Sequence, residues 1–535
     1  MSVGHLRPDV TRRTPGRAGW SSPDGRGLLS YGALVGAVTV GVAAGIVPRW
    51  PGAIHLVALP PLDLAADARW LLARATSWPV FVAGAAASFA VRVTVLALLL
   101  GPRRPRWRTA ARFYAVAWLP MMLAAQLDFI AHAALYSRLF GAGLFMLAAG
   151  FVLLAAQPWT GDGRWHSAAR AGLRAPVVAG YAAALVLVGA FADMTGTAGL
   201  VASVPVSGAL TLLAAARLRT PTPPCPLARL AVVTVVGLGL FATTVVTREA
   251  PWTRSTAERD GTAVVMSGIN SASGEGAIFT MAPDRIGFTC GQMRYFSYAG
   301  PGDRQPQGVA VCPLDHGAPY EPEDTQRPFG EQVVLLEEQA DGLEPPVVVF
   351  AHSQATWVAW QAAAEGRIDG LAALVLVGPF PSSPLTWPPP GEDGPGRAGG
   401  DLLRLLAPLA DLVDFDFAVD APLSRELLAT ADAASEVFEQ PLPDGVEVLA
   451  VTASSDLAVM PDGWRIDGAI DVCPVREAHP YLPITPHFHR AVDRFLDGDV
   501  LVDPPATGAG QQGCPPWPEW YRVASQPFGA PPANR

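Results

Sequence analysis

The chain has 535 residues, too long for one ordinary domain of about 100–200 residues, and its 50% hydrophobic content is concentrated in the first half. Charge divides the same way: up to Glu249 there are 22 Arg against 8 acidic residues, a net of +14, and beyond it 16 Arg against 39, a net of −23. An acidic second half of that size repels phosphate and excludes nucleic acid as a partner, while the absence of lysine and the abundance of Ala, Arg, Gly and Pro match the usage of a GC-rich bacterial genome.

In chain order, residues 1–27 form a polar, Arg-bearing tail with the character of a cytoplasmic segment. Residues 28–247 hold seven apolar stretches, at roughly 28–47, 79–101, 113–136, 139–157, 176–194, 198–216 and 229–247. Each has the length of about 17–25 residues that spans a bilayer core as a helix. The first follows too many polar residues, and lacks the small-residue cleavage site, to read as a removable signal peptide, so it is expected to be an anchor. Cytoplasmic loops retain positive charge. With the N-terminus inside, the inner segments carry Arg7, Arg12, Arg13, Arg17, Arg26, Arg103, Arg104, Arg106, Arg108, Arg112, Arg164, Arg170, Arg174, Arg217, Arg219 and Arg229. The outer loops carry only Arg49, Arg69, Arg74 and Arg138. An odd span count then places everything after Thr247 outside the cytoplasm. Within the spans, Asp128 and His132 share one helix face, and Arg92, in the middle of the second, is a ready partner for Asp128. No inverted repeat or pair of broken helices suggests a transporter.

Cysteine usage agrees with that topology. Cys225 falls in an inner loop, whereas Cys290, Cys312, Cys473 and Cys514 lie in the outer half, where disulfides persist. Four cysteines allow three pairings; sequence proximity favours Cys290 with Cys312 and Cys473 with Cys514, and four unpaired thiols are the alternative. Neither a C-x-x-C pair nor a metal cluster occurs, and the histidines of "HFH" (His487 to His489) sit at positions that do not share a helical face. Nothing implies a cofactor.

After a linker at 248–260, residues 261–498 alternate strand and helix. "TAVVMSG" reads as a buried strand followed by the Gly/Ser-rich loop "GINSASGEG", and "MRYFSYAG" as a second strand. A helical pattern starts at about Thr325, and "PPVVVFAHS" is another strand with a helix from about Gln354. Then come the strand "LAALVLVG", an insertion at 379–445, the strand "VEVLAVTAS", a segment around "WRIDGAIDVCPV" and a closing helix from Thr485 to Leu496. Within the insertion, Pro379 to Gly400 is Pro/Gly-rich and predicted to be loop. Asp401 to Gln440 has the periodicity of two or three helices, in the position of a lid. Repeated β-α units imply a mostly parallel sheet covered by helices on both faces. The expected fold class is thus a helical membrane bundle followed by an α/β domain, with a Pro/Gly-rich tail at 499–535.

"AHSQA", Ala351 to Ala355, stands between an apolar strand and a helix. That is the context of the nucleophile elbow G-x-S-x-G, here with alanine at both glycine positions. Farther on, "SSDLAVMP" puts Asp456 just past a late strand, and "REAHPYLPITPHFHRAVDRFL" puts His479 before the final helix. In these motifs and their order, residues 261–496 resemble the α/β-hydrolase family, particularly bacterial esterases and lipases. The resemblance implies Ser353 as nucleophile, His479 as the base that takes and returns its proton, and Asp456 as the carboxylate that orients the imidazole. It implies an oxyanion hole from the backbone N–H of Gln354 and one donor from the loop after the first strand, Ile269 or Asn270. Asp462 is an alternative acid, and His352, adjacent to the serine along the chain, is expected to project away from it.

The expected activity is hydrolysis of an ester or other acyl bond, in a small molecule or a lipid, by an extracytoplasmic domain on a multi-pass anchor in the cell membrane. A non-catalytic ligand-binding or sensing ectodomain with a degenerate site is the second expectation, and a transporter accessory whose membrane half carries the function is a third.

Overall fold

The structure, a computed structural model, describes residues 25–46, 56–59, 62–99, 175–219, 258–382, 386–410, 418–430, 432–460, 463–475 and 477–498, with scattered positions from 107 to 118, 514 and 518. In the N-terminal half the helices are α1 (Gly25–Ala43), α2 (Leu62–Arg74), α3 (Trp78–Leu99), α4 (Ala175–Met194) and α5 (Gly196–Arg219). Two described helices are long and apolar enough to cross a membrane, Trp78–Leu99 with 22 residues and Gly196–Ala215 with 20, and Leu28–Ala43 is a shorter apolar helix. This corrects the count of seven among the described residues. The stretches at 139–157 and 229–247, most of 113–136, and with them Asp128 and His132, lie outside what is described.

α2 was not foreseen: its residues read as outer loop, yet "LDLAADARWLLAR" carries two faces at helical spacing. Asp63 and Asp67, four apart, face Arg92 of α3. The guanidinium is bidentate to Asp67, with Nε and Nη2 each at 2.8 Å, and donates through Nη1 to the Leu56 carbonyl at 3.0 Å. Arg92 therefore pairs with Asp67 and, at 4.0 Å, Asp63; its expected partner Asp128 lies outside the described residues. The backbone at Val57–Leu59, where a short 3-10 turn gives way to irregular chain, is fully buried and must satisfy its polar groups internally. The Val57 carbonyl accepts from the Tyr31 hydroxyl at 2.6 Å, and the Leu59 N–H donates to Tyr181 Oη at 2.9 Å.

The second half is built on six parallel strands: β1 (Thr262–Met266), β2 (Met293–Tyr295), β3 (Val347–His352), β4 (Leu371–Val377), β5 (Glu447–Val451) and β6 (Ile470–Asp471), in spatial order β2-β1-β3-β4-β5-β6. β1 and β3 are buried at every position, as expected of unbroken apolar runs in a sheet covered by helices. Helices α6 (Phe329–Ala340) and α7 (Ala355–Ala364) follow β2 and β3. The insertion after β4 contributes α8 (Arg397–Ala410), a π-helical turn at Ser424–Leu428 and α9 (Ala433–Phe438). α10 (Pro486–Leu496) closes the domain, capped by the Thr485 side chain, which accepts from Phe488 N–H at 3.1 Å. The pattern expected from Thr325 is split: a 3-10 turn at Pro322–Gln326 ends before Pro328, whose ring cannot continue a helix, and α6 starts after it.

Both cysteine pairings favoured by proximity are present, Cys290–Cys312 and Cys473–Cys514. Arg259 ties the start of the domain to its end, pairing with Asp493 at 2.9 Å and Asp497 at 2.8 Å.

Candidate active site

The carboxyl ends of β3, β5 and β6 lie on one edge of the sheet, and the loops leaving them bring the predicted residues to that edge. Ser353 follows β3 with φ 59, a left-handed backbone that a non-glycine residue adopts at a cost of about 1–2 kcal/mol. The turn is fixed from both sides: Ser353 N–H donates to the Val377 carbonyl of β4 at 2.8 Å, and the Ser353 carbonyl accepts from Thr356 N–H at 3.0 Å as α7 begins. Ala351 and Ala355, at the two glycine positions of the motif, are completely buried without breaking the strand-turn-helix path.

Asp456 opens a 3-10 turn after β5, and His479 opens another after β6. Both are fully buried, and His479 Nδ1 lies 2.8 Å from Asp456 Oδ1. A carboxylate partner makes Nδ1 the protonated nitrogen and leaves Nε2 as the basic one. The acid is itself held: Asp456 Oδ2 accepts from Ala453 N–H at 3.1 Å, and Oδ1 accepts from the Ser455 hydroxyl at 3.2 Å. Ser455 Oγ in turn accepts from His479 N–H at 2.8 Å, so one serine braces both partners.

Three neighbours of the imidazole were not assigned to it from the sequence. Gly378, directly after β4 with φ 64, lies flush against the ring: a Cβ there would sit 2.6 Å from His479 Cε1 and 2.7 Å from Nδ1. A glycine ending an apolar strand was the visible signal, though many strands end that way. Phe380 packs on the ring with centroids 5.2 Å apart. His352, expected to project away from the serine, lies beside the base, with ring centroids 4.9 Å apart and its Nε2 3.3 Å from the His479 carbonyl oxygen. Burial, reinforced by the neighbouring His479, pushes the His352 pKa from 6.5 down to about 3, so this ring stays neutral.

The oxyanion donors separate. Asn270, with φ 62, donates its N–H to Thr325 Oγ1 at 2.8 Å. That donor is committed, and the expectation narrows to Ile269, which is buried in the same loop. Gln354 is buried at the turn after the serine, its side chain held between the Tyr298 hydroxyl, which donates to Oε1 at 3.1 Å, and Gln332, which accepts from Nε2. Asp462 lies outside the described residues. No group of three or more potential metal ligands occurs among the described residues. Comparison with known proteins finds no matching family model, no matching curated protein and no matching solved structure.

Proposed function

We propose that the chain is a membrane-anchored serine hydrolase that cleaves an ester or other acyl bond on the outer side of the membrane. One observation carries the reading: a fully buried imidazole–carboxylate pair, 2.8 Å apart, at the same sheet edge as a serine held at φ 59 between a strand and a helix. A serine hydroxyl is a poor nucleophile, and this arrangement supplies what it lacks. Ser353 Oγ attacks the acyl carbon as its proton passes to His479 Nε2, while Asp456 fixes the tautomer and offsets the imidazolium charge. The oxyanion is received by the N–H groups of Gln354 and Ile269. Collapse of the intermediate expels the alcohol, which takes the proton from His479, and water repeats the sequence to release the acid and restore the serine. The serine-acid-histidine order and the parallel sheet are those of the α/β-hydrolase family, which this half of the chain resembles.

The anchored, outward-facing placement draws on the two span-length apolar helices, the arginine asymmetry of the first half, and two disulfides of a kind that persists in oxidising compartments. The test is fluorophosphonate labelling and nitrophenyl ester hydrolysis by the full chain. Both are expected, and both are expected to vanish in Ser353→Ala. A folded wild-type chain that neither labels nor turns over a broad ester panel rejects the reading and leaves the ligand-binding ectodomain.

A further inference from the structure

The insertion between β4 and β5 does not hang free over the sheet edge; it is bonded to the N-terminal half. α2 presents Ala68, Leu71 and Leu72, and with Ala75 just past its end and Phe81 of α3 these enclose Ala398 of α8 in one buried cluster. The approach is close enough to need a glycine, since a Cβ on Gly399 would meet the Leu72 carbonyl oxygen at 2.7 Å. Backbone joins backbone as well: Gly394 N–H donates to the Thr76 carbonyl at 2.7 Å and Arg397 N–H to the Ala75 carbonyl at 3.2 Å. Trp78 Nε1 donates to Asp401 Oδ2 at 2.7 Å, and the same carboxylate is held by Arg397 and Arg404, each at 2.9 Å. α2 is also fixed by Asp63 and Asp67 on buried Arg92.

Other contacts tie the insertion to the loops around the imidazole. α8 packs through Leu403 on Trp387, whose carbonyl accepts from Arg425 at 2.9 Å. Ala418 N–H of the insertion donates to Gln326 at 3.0 Å, in the turn whose Thr325 takes the Asn270 N–H. At its first residues the insertion carries Phe380, bonded through its carbonyl to Trp357 Nε1 at 2.9 Å and packed on His479. The contact also sits where span-length α3 begins, with Trp70 45% and Trp78 39% exposed, the placement of aromatic residues at a membrane–water boundary.

We infer that the α2–α3 corner of the N-terminal half is the seat of the insertion, and that seating it builds the acyl-binding wall of the Ser353 site. The membrane half is then a working part of the hydrolase in addition to its anchor, and substrates with long acyl chains depend on the seat. This rests on the hydrolase reading above.

The test uses the full chain. Gly399→Ala puts a Cβ 2.7 Å from the Leu72 carbonyl oxygen and is expected to push α8 off α2. Separately, Asp401→Ala removes the acceptor shared by Trp78, Arg397 and Arg404. Asp401→Ala is expected to raise KM for a long-chain nitrophenyl ester roughly tenfold, as losing a charged hydrogen bond would, and Gly399→Ala to raise it in the same direction, both with kcat for a short-chain ester unchanged. Trp78→Phe removes one partner of the Asp401 carboxylate from the α3 side, and its effect on the long-chain KM is expected to disappear in the Asp401→Ala background, a coupling that a merely destabilised protein would not show. Either Gly399→Ala or Asp401→Ala with a wild-type KM for both esters overturns the seat. A wild-type chain without Ser353-dependent turnover overturns the hydrolase reading instead, before any variant is compared.

Discussion

Gly378→Ala is the substitution that most directly probes how His479 is held. The glycine carries no chemistry, yet the Cβ of alanine would stand 2.6 Å from His479 Cε1, 2.7 Å from Nδ1 and 3.3 Å from Asp456 Oδ2. Ordinary carbon–carbon contact is about 3.5 Å, so the ring must retreat by about 0.9 Å. A displacement of about 1 Å in a reacting group costs on the order of 100-fold in rate, and here it also strains the 2.8 Å bond to Asp456. The backbone adds a second cost of about 1–2 kcal/mol, because alanine at φ 64 pays the left-handed penalty. Gly366→Ala separates the two effects: its φ is 67, and nothing lies within 4 Å of the added Cβ. Thermal unfolding and kcat/KM on a short nitrophenyl ester, measured for both variants in the full chain, give the comparison. Both are expected to lose the backbone cost, Gly378→Ala losing more through the clash, with turnover falling about 100-fold only in Gly378→Ala. A Gly378→Ala enzyme within threefold of wild-type kcat/KM would refute the argument that this ring position is the working one.

Ser353→Ala and His479→Ala are expected to lower kcat to a common residual level, with the double variant falling little further, because groups that act as one unit are not additive; steady-state kinetics of all three checks this. Reducing Cys290–Cys312 and Cys473–Cys514, which close separations of 22 and 41 residues, is expected to cost about 3–4 kcal/mol each. Thermal unfolding with and without reductant measures that cost, and four thiols alkylated before reduction would contradict it. For His352, the native ring binds its proton only near pH 3, whereas the unfolded chain does so at 6.5. Stability from this group is therefore complete above pH 6.5 and is lost as pH falls toward 3, by about 1.4 kcal/mol per unit. His352→Gln removes the effect, so the wild-type chain should lose ground relative to the variant with falling pH; parallel denaturation curves would contradict it.

The parts of the fold written in runs of one character were readable from the sequence. "VVVFA" and "LAALVLV" form buried parallel strands because apolar β-branched runs bounded by turn residues have little alternative in an α/β chain. Ser353 and Asp456 stood out as candidates because each follows such a strand, and His479 because it precedes the closing helix. The parts that depend on contacts distant in sequence were not. α2 mixes Asp, Arg and Trp with leucine and reads as a loop until Arg92 of the following helix is seen to satisfy its acidic face. The availability of the Asn270 N–H turned on Thr325, 55 residues away. Gly378 and His352 were visible as letters, but their relation to the imidazole exists only once β3, β4, β5 and β6 are assembled in one sheet. The start of α8 at Arg397 was hidden by the glycines at 399 and 400, which the close approach to Leu72 and Trp387 requires.

The second disulfide has a consequence for biosynthesis. Leu457, Met460 and Trp464, in the loop that begins at Asp456, form a small buried cluster completed by Phe380 and Cys514. A chain emerging from its N-terminus exposes Ser353, Asp456 and His479 before residue 514 arrives, so the proposed triad residues are all present while the cluster beneath the acid is still open. Joining Cys473 to Cys514 closes it. On the proposed hydrolase reading, activity would be conferred late, only once that disulfide has formed, and a chain interrupted near residue 500 would carry every proposed triad residue without the clasp beside Asp456.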